Sequence, residues 1–191
     1  MRFFDRTEEI ASLKEILELS KSNAQFTVVT GRRRIGKTSL VWKAYENEPI
    51  LYFFVARKAE SDLCTDYIQE IENKLGIPTM GRVERFPEIF EYLMKLSIER
   101  PITLFIDEFQ EFFKVNKSVY SDMQRIWDMY HQDTSPLLSC LQSCIPKGSV
   151  EEVALSGHRR SPARQWVLLG HIYITKGDHS KNSTLNKESL F

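Results

Sequence analysis

The sequence predicts an α/β fold, a three-layer sandwich in which helices cover both faces of a mainly parallel sheet, and three observations carry that prediction. Short β-prone runs alternate with helical segments: "FTVVT" at 26–30, "ILYFFV" at 50–55 and "ITLFI" at 102–106 are separated by stretches with apolar residues every three or four positions. A glycine-flanked loop joins the first of these runs to the helix that follows it. The pattern then fades after Asp133, which predicts a sheet incomplete on its C-terminal side.

The elements follow in order. Ile10, Leu13, Ile16 and Leu17 recur at helical spacing behind Thr7-Glu8-Glu9, a plausible helix start. Phe26 to Thr30 is the first strand. Ser39 to Tyr45 lacks Gly and Pro and continues a helix that begins near Lys37, and Pro49 stops it. Ile50 to Val55 is a continuous apolar run, the signature of a strand buried on both faces. Ser61 to Leu75 places Leu63, Tyr67, Ile68, Ile71 and Leu75 on one helix side, ended by Gly76 and Pro78. Phe86 to Ile98 repeats the pattern through Phe86, Ile89, Phe90, Leu93 and Leu96, until Pro101 breaks it before the strand Ile102 to Ile106.

The loop carries the first piece of chemistry. In "FTVVTGRRRIGKTSLVWKAY", Gly31, Gly36, Lys37 and Thr38 match G-x-x-x-x-G-K-[ST], and strand, loop and helix occur in the order that this phosphate-cradling motif requires. The glycines let successive backbone N–H groups turn inward as an anion nest, and the helix N-terminus adds its partial positive charge. Gly31, Arg32, Arg33, Arg34, Ile35, Gly36, Lys37, Thr38 and Ser39 are therefore the expected phosphate-binding segment. Within it Lys37 reaches the β and γ phosphates, and Thr38 completes the shell of a Mg²⁺ ion. The alternative is an ordinary glycine-rich turn. For Arg32, Arg33 and Arg34 two readings stand side by side, contact with the γ-phosphate or a partner, and a solvated loop tip.

The second piece is Asp107-Glu108, where the strand Ile102 to Ile106 leaves the sheet at the carboxyl edge, the place where open α/β sheets bind ligands. Asp107 is the expected second metal ligand, a Walker B acid beside the Walker A loop. Glu108 is the expected general base for the attacking water. An acidic pair after a strand is by itself more often a solvated turn; its pairing with the loop is what favours the catalytic role.

Composition narrows the class. The chain has 191 residues, with 26 Lys and Arg against 26 Asp and Glu, so global charge favours neither nucleic acid nor a membrane surface as partner. No apolar run reaches the length of a membrane span, and the charged, amphipathic stretch Met1 to Leu19 does not read as a secretory signal. Cys64, Cys140 and Cys144 are an odd number without framework spacing, which fits reduced thiols in a cytoplasm. Cys140 and Cys144 drawn together with His131 or His158 match no standard zinc pattern. Arg159, Arg160 and Arg164 form a basic coil, and nothing else in the sequence supports a nucleic-acid partner.

"RFFDRTEEI", "VVTGRRRIGKTSL", "LYFFVARK" and "ITLFIDEFQEFF" together resemble the archaeal-type ATPases, P-loop NTPases of the AAA+ and STAND neighbourhood, over Met1 to about Asp133. The resemblance implies Mg²⁺-dependent ATP hydrolysis coupled to a conformational change, with ATP as ligand; a protein partner or a second copy of the chain is expected instead from the apolar surface that the strand Ile102 to Ile106 and its helices would leave uncovered. Phe4-Asp5-Arg6 is similar to the family's Phe-x-Gly-Arg start near the adenine, with Asp5 where glycine is usual.

Beyond Asp133 the sequence departs from that pattern. The family's fourth strand with its γ-phosphate-sensing polar residue, and its later Gly-Ser and Gly-Arg segments, are not visible in 134–191, which reads as a divergent, partly disordered segment, separate from an ATPase core at 1–133. Only "QWVLLGHIYIT", 165–175, reads as a strand or hairpin, with Gly170 at its middle. A reading-frame change in the coding DNA is one way to produce such a junction. Two functions follow as expectations: an ATPase with impaired turnover, using Lys37 and Glu108 as catalytic groups, and a non-catalytic nucleotide-binding remnant. A P-loop kinase is a weaker third, because the acidic pair suits activation of water.

Overall fold

The computed structural model describes residues 6–31, 34–77, 81–132, 136–143 and 171–174, the last two stretches as backbone strands. The chain begins with helix α1 (Thr7–Ser20), strand β1 (Gln25–Gly31), helix α2 (Lys37–Ala44) and strand β2 (Ile50–Phe54). Helices α3 (Glu60–Leu75) and α4 (Phe86–Leu96) then lead to β3 (Ile102–Asp107). A 3₁₀ turn (Phe109–Glu111), a short α5 (Phe112–Val115) and α6 (Ser118–Tyr130) follow, before β4 (Pro136–Ser143) and β5 (His171–Ile174). The five strands form one sheet in the order β2-β3-β4-β1-β5, and every neighbouring pair is parallel.

Period-two alternation sorts the strand side chains into two layers. Leu51, Phe53, Ile102, Leu104 and Ile106 face α3, α4 and α6, in a core with Leu63, Tyr67, Phe86, Phe90, Met123 and Trp127. Their neighbours in the strands, Val29, Ile50, Tyr52 and Phe105, face α1 and α2, against Leu13, Ile16, Leu40 and Val41. This is the three-layer sandwich that the alternation of strands and helices predicts. Asp107 follows Phe105 by two positions and so belongs to the α2 layer, where the loop after β1 also delivers its helix.

The larger core layer is built on aromatic contacts. Phe53 stacks on Tyr67 with ring centroids 4.2 Å apart, and Phe86 lies 4.7 Å from Phe112 and 5.8 Å from Tyr67. The Tyr67 hydroxyl donates to the Phe54 carbonyl at 3.1 Å, tying α3 to the end of β2. Glu60, at the start of α3, accepts from the Phe86 amide at 2.8 Å and from Asn116 Nδ2 at 2.7 Å, holding three elements together. Phe86 is completely buried. Phe86→Ala is therefore expected to lower unfolding free energy by about 3–5 kcal/mol, measured by urea denaturation. A loss below about 1 kcal/mol, within reach of an ordinary surface change, would contradict this packing.

One expectation needs correction. Residues 136–143 are not loop: they form β4, inserted between β1 and β3 at the centre of the sheet. The strand expected within 165–175 is present as His171–Ile174, parallel to β1; the rest of that stretch lies outside the described residues. "PLLSCLQS" lacks a strand signal in the sequence because a strand of a parallel sheet normally reads as a near-continuous Val, Ile and Leu run, and here two serines, a cysteine and a glutamine interrupt it. Pro136 sits at the first position of the strand, where a missing N–H is tolerated. The helix limits shift slightly as well: α3 starts at Glu60, and α4 ends at Leu96.

Candidate phosphate and metal site

β1 ends at Gly31, and α2 begins at Lys37, so the loop between them opens at the carboxyl edge of the sheet. Gly36 has φ +85° directly before the helix, a conformation that an L side chain rarely adopts, although nothing else crowds the position. The Leu40 amide donates to the Gly36 carbonyl at 3.0 Å and closes the first helical turn. The amides before it, at Lys37, Thr38 and Ser39, have no intrahelical acceptor, as at any helix start. Arg34 also adopts a left-handed conformation, with φ +64°, and its side chain is exposed. Arg32 and Arg33 lie outside the described residues. Arg6 Nη2 donates to the Ile35 carbonyl at 2.8 Å, so the chain just before α1 braces the loop from across 29 positions.

Lys37 is buried, with 6% of its surface exposed, and its ammonium donates to the Gly31 carbonyl at 3.1 Å. The lysine thus lies back along the loop, with its charge at the end of β1. Holding an ammonium out of water is costly unless anions or dipoles offset it, and the loop interior is a place where a phosphate would do so. Ser39 is half-buried in the first turn of α2.

A hydrogen bond joins the loop helix to the acid strand. Thr38 Oγ1 donates to Asp107 Oδ2 at 3.1 Å, joining α2 to β3 across 69 positions. Asp107 is 8% exposed. Its Oδ2 also accepts from the Tyr52 hydroxyl at 3.0 Å, and its Oδ1 from the Glu108 amide at 2.9 Å. Burial raises the Tyr52 phenol above its ordinary value, and the charge of Asp107 adds to the effect, so the group remains a protonated donor. Glu108 turns away from the strand in a left-handed conformation, φ +55°, half-buried, and its Oε2 accepts from Gln110 Nε2.

Of the residues expected at the site, the structure brings together Gly31, Gly36, Lys37, Thr38 and Asp107, with Glu108 next along the chain. Three features were missed. The hydroxyl of Tyr52 lands on Asp107; the signal was its place on the β2 face shared with Phe105 and Asp107, readable only with the strand pairing. Arg6, expected near the adenine, contacts the loop. The register of β4 places Gln142 beside Thr30 and Ser143 beside Gly31, so two polar residues end the strand between the loop and the acid. A polar strand end at this rim was expected to be absent.

Cysteine chemistry plays no part in the geometry of the described residues. Burial, with Glu60 and Glu88 nearby, pushes the Cys64 thiol up to about 12, which keeps it protonated and inert. Most of the zinc grouping drawn from Cys140, Cys144 and His158 lies outside the described residues, and no group of three or more His, Cys, Asp or Glu among them is placed to hold a metal.

A parallel sheet with a glycine-flanked loop and a strand-end acid on one rim defines the class of P-loop nucleotide-binding proteins. Residues 3–150 match the ATPase domain found predominantly in Archaea. The chain belongs to this family, and the match runs past Asp133 through β4. Over 143 residues, 75% of the chain, it is 34% identical to the uncharacterized protein MJECL04 of Methanocaldococcus jannaschii, of which the alignment covers 30%. Over 61 residues, 31% of the chain, it is 34% identical to MJ0424 of the same organism, covering 59% of that protein. Its fold is similar to that of the Walker-type ATPase PABY2304 of Pyrococcus abyssi, with a TM-score of 0.66 at 20% identity, over 93% of this chain and 55% of that one. Cdc6p of Pyrobaculum aerophilum is also similar, with a TM-score of 0.61 at 19% identity, over 90% of this chain and 45% of that one. The chain thus spans between 30% and 59% of the length of these proteins. Among the described residues no helix is long and apolar enough to cross a membrane.

Proposed function

We propose that this chain binds ATP in the loop Gly31 to Ser39 and hydrolyses it slowly with the help of Mg²⁺, in the cytoplasm and together with a protein partner or a second copy of the chain. The observation that carries the reading is the 3.1 Å bond between Thr38 and Asp107, which joins the loop helix to the strand-end acid. A hydroxyl and a carboxylate side by side are hard oxygen donors. Mg²⁺ takes few protein ligands and fills its octahedron with waters and phosphate oxygens, so two such groups fit it where a three-carboxylate cage would not be needed.

The roles follow from position. The loop amides and the N-terminus of α2 hold the phosphates, and Lys37 swings its ammonium from the Gly31 carbonyl to the β and γ oxygens. Thr38 and Asp107 hold Mg²⁺, which supplies charge neutralisation on the phosphate oxygens when bound. Glu108 accepts a proton from the attacking water. In the structure the Oε2 of Glu108 accepts from Gln110 Nε2, a contact that occupies part of the carboxylate's acceptor capacity. Slow turnover, and the second reading of a nucleotide-binding module without useful catalysis, rest on 134–191, where the family's later Gly-Ser and Gly-Arg segments are not visible and a supplied arginine alone is worth about 10³–10⁵ in rate.

Calorimetric ATP binding alongside steady-state hydrolysis by the purified chain tests both. Binding with turnover well below about 1 s⁻¹, the low end of ordinary enzymes, is the expected result; absence of binding overturns the proposal, and binding with no Glu108-dependent turnover leaves the second reading. The metal assignment has its own check. Thr38→Val should weaken ATP binding in Mg²⁺ by about tenfold, the scale of one lost ligand or hydrogen bond near 1.4 kcal/mol, and weaken it much less in EDTA. Equal losses in both buffers would remove Thr38 from the metal shell.

A further inference from the structure

The Asp107 carboxylate is fixed by three donors: the Thr38 hydroxyl, the Glu108 amide and the Tyr52 hydroxyl. The first belongs to a proposed metal ligand, and the second is local backbone. Tyr52 stands apart, because it comes from a neighbouring strand, 55 positions away in the chain, and has no role in the reading above. Its placement follows from the sheet. Tyr52 pairs in register with Phe105, two residues before Asp107, so all three side chains lie on the α2 face, and a tyrosine is long enough to reach along that face to the carboxylate. The ring is held on two sides, 5.2 Å from Phe105 and 5.5 Å from Trp42 of α2. The phenol therefore approaches Asp107 from a supported direction and shares Oδ2 with Thr38.

We infer that Tyr52 is a positioning residue for the metal site: its hydroxyl holds the Asp107 carboxylate turned toward Thr38, in the orientation that presents it to Mg²⁺ beside a bound nucleotide. The inference rests on Thr38 and Asp107 being the metal ligands. A carboxylate free to rotate spends part of its time turned away from the ion. Outer partners that lock a metal ligand typically account for about 10–100-fold in metal affinity. The aromatic ring contributes packing whether or not it carries the hydroxyl, so the two contributions separate cleanly in Tyr52→Phe.

The test measures the affinity of the ATP complex for Mn²⁺ by electron paramagnetic resonance, with Mn²⁺ standing in for Mg²⁺, in the full chain and in Tyr52→Phe. ATP binding in EDTA and thermal unfolding are measured in parallel. Tyr52→Phe should bind the ion about tenfold more weakly, with ATP affinity in EDTA and the unfolding temperature close to parental. A purely structural role for Tyr52 would lower metal-free ATP binding and thermal stability together, and that outcome overturns the inference, as does unchanged ion affinity in a variant whose parent shows metal-dependent ATP binding. If ATP binding by the parental chain is indifferent to the ion, the metal assignment fails and this inference with it. A second measurement does not depend on the variant's stability: in chain labelled at tyrosine ¹³Cζ, one of the seven tyrosine signals, the one missing in Tyr52→Phe, should move when Mg²⁺ is added to the ATP complex. No movement of that signal contradicts the positioning role.

Discussion

Lys37→Ala is expected to weaken ATP binding by about 30-fold or more, equivalent to roughly 2 kcal/mol, the lower end of the cost of truncating one member of a desolvated charge contact. Lys37 is 6% exposed, and its ammonium rests 3.1 Å from the Gly31 carbonyl, already inside the loop that the phosphates would enter. The substitution leaves Gly36, the amides of the first α2 turn and the Thr38–Asp107 contact in place, so some affinity remains from the backbone nest. Alanine is the best helix former and costs α2 nothing by propensity. Fold and stability should therefore stay near parental, and circular dichroism confirms whether they do. Calorimetry with ATP reads the effect. Equal affinity in the variant and the parent would show that the phosphates bind elsewhere.

Glu108→Gln is expected to reduce whatever hydrolysis the chain performs by about 10²–10⁴-fold, the range that a positioned general base contributes, with ATP binding retained. Glutamine preserves the size of the side chain and its hydrogen bonding but takes no proton. The left-handed backbone at Glu108, φ +55°, turns the side chain out of the strand direction and is unaffected by the exchange. The contact from Gln110 survives in altered form, because an amide oxygen still accepts from Gln110 Nε2. Single-turnover release of labelled phosphate is the sensitive readout when the parental rate is low. Parental turnover in Glu108→Gln would mean that another group takes the proton.

Much of the α/β core was legible because its signals are local. Phe86, Ile89, Phe90 and Leu93 repeat with the helical period, and their burial in α4 follows from that spacing alone. The strand Ile102 to Ile106 is apolar throughout, as a strand covered on both faces must be, and Gly76 ends α3 in the left-handed conformation that glycine allows. β4 was illegible for the opposite reason. Its serines, cysteine and glutamine carry neither a two-residue nor a 3.6-residue pattern, and its place in the sheet rests on pairing with β1 and β3 on either side.

By itself, the sequence determined that a glycine-flanked loop stands between a strand and a helix and that an acid pair ends a later strand, because glycine spacing, the Lys-Thr pair and apolar runs are properties of contiguous residues. It did not determine how those pieces meet. The order β2-β3-β4-β1-β5 places one strand between the loop and Asp107, and only that arrangement lets Thr38 reach the carboxylate across 69 positions and Tyr52 across 55. Such contacts depend on which strands are neighbours and on the register between them, and a shift of one residue in β2 would turn the Tyr52 phenol to the opposite face of the sheet. The chemistry of the site was thus written in short segments, while the orientation of its acid was decided by non-local pairing of the sheet.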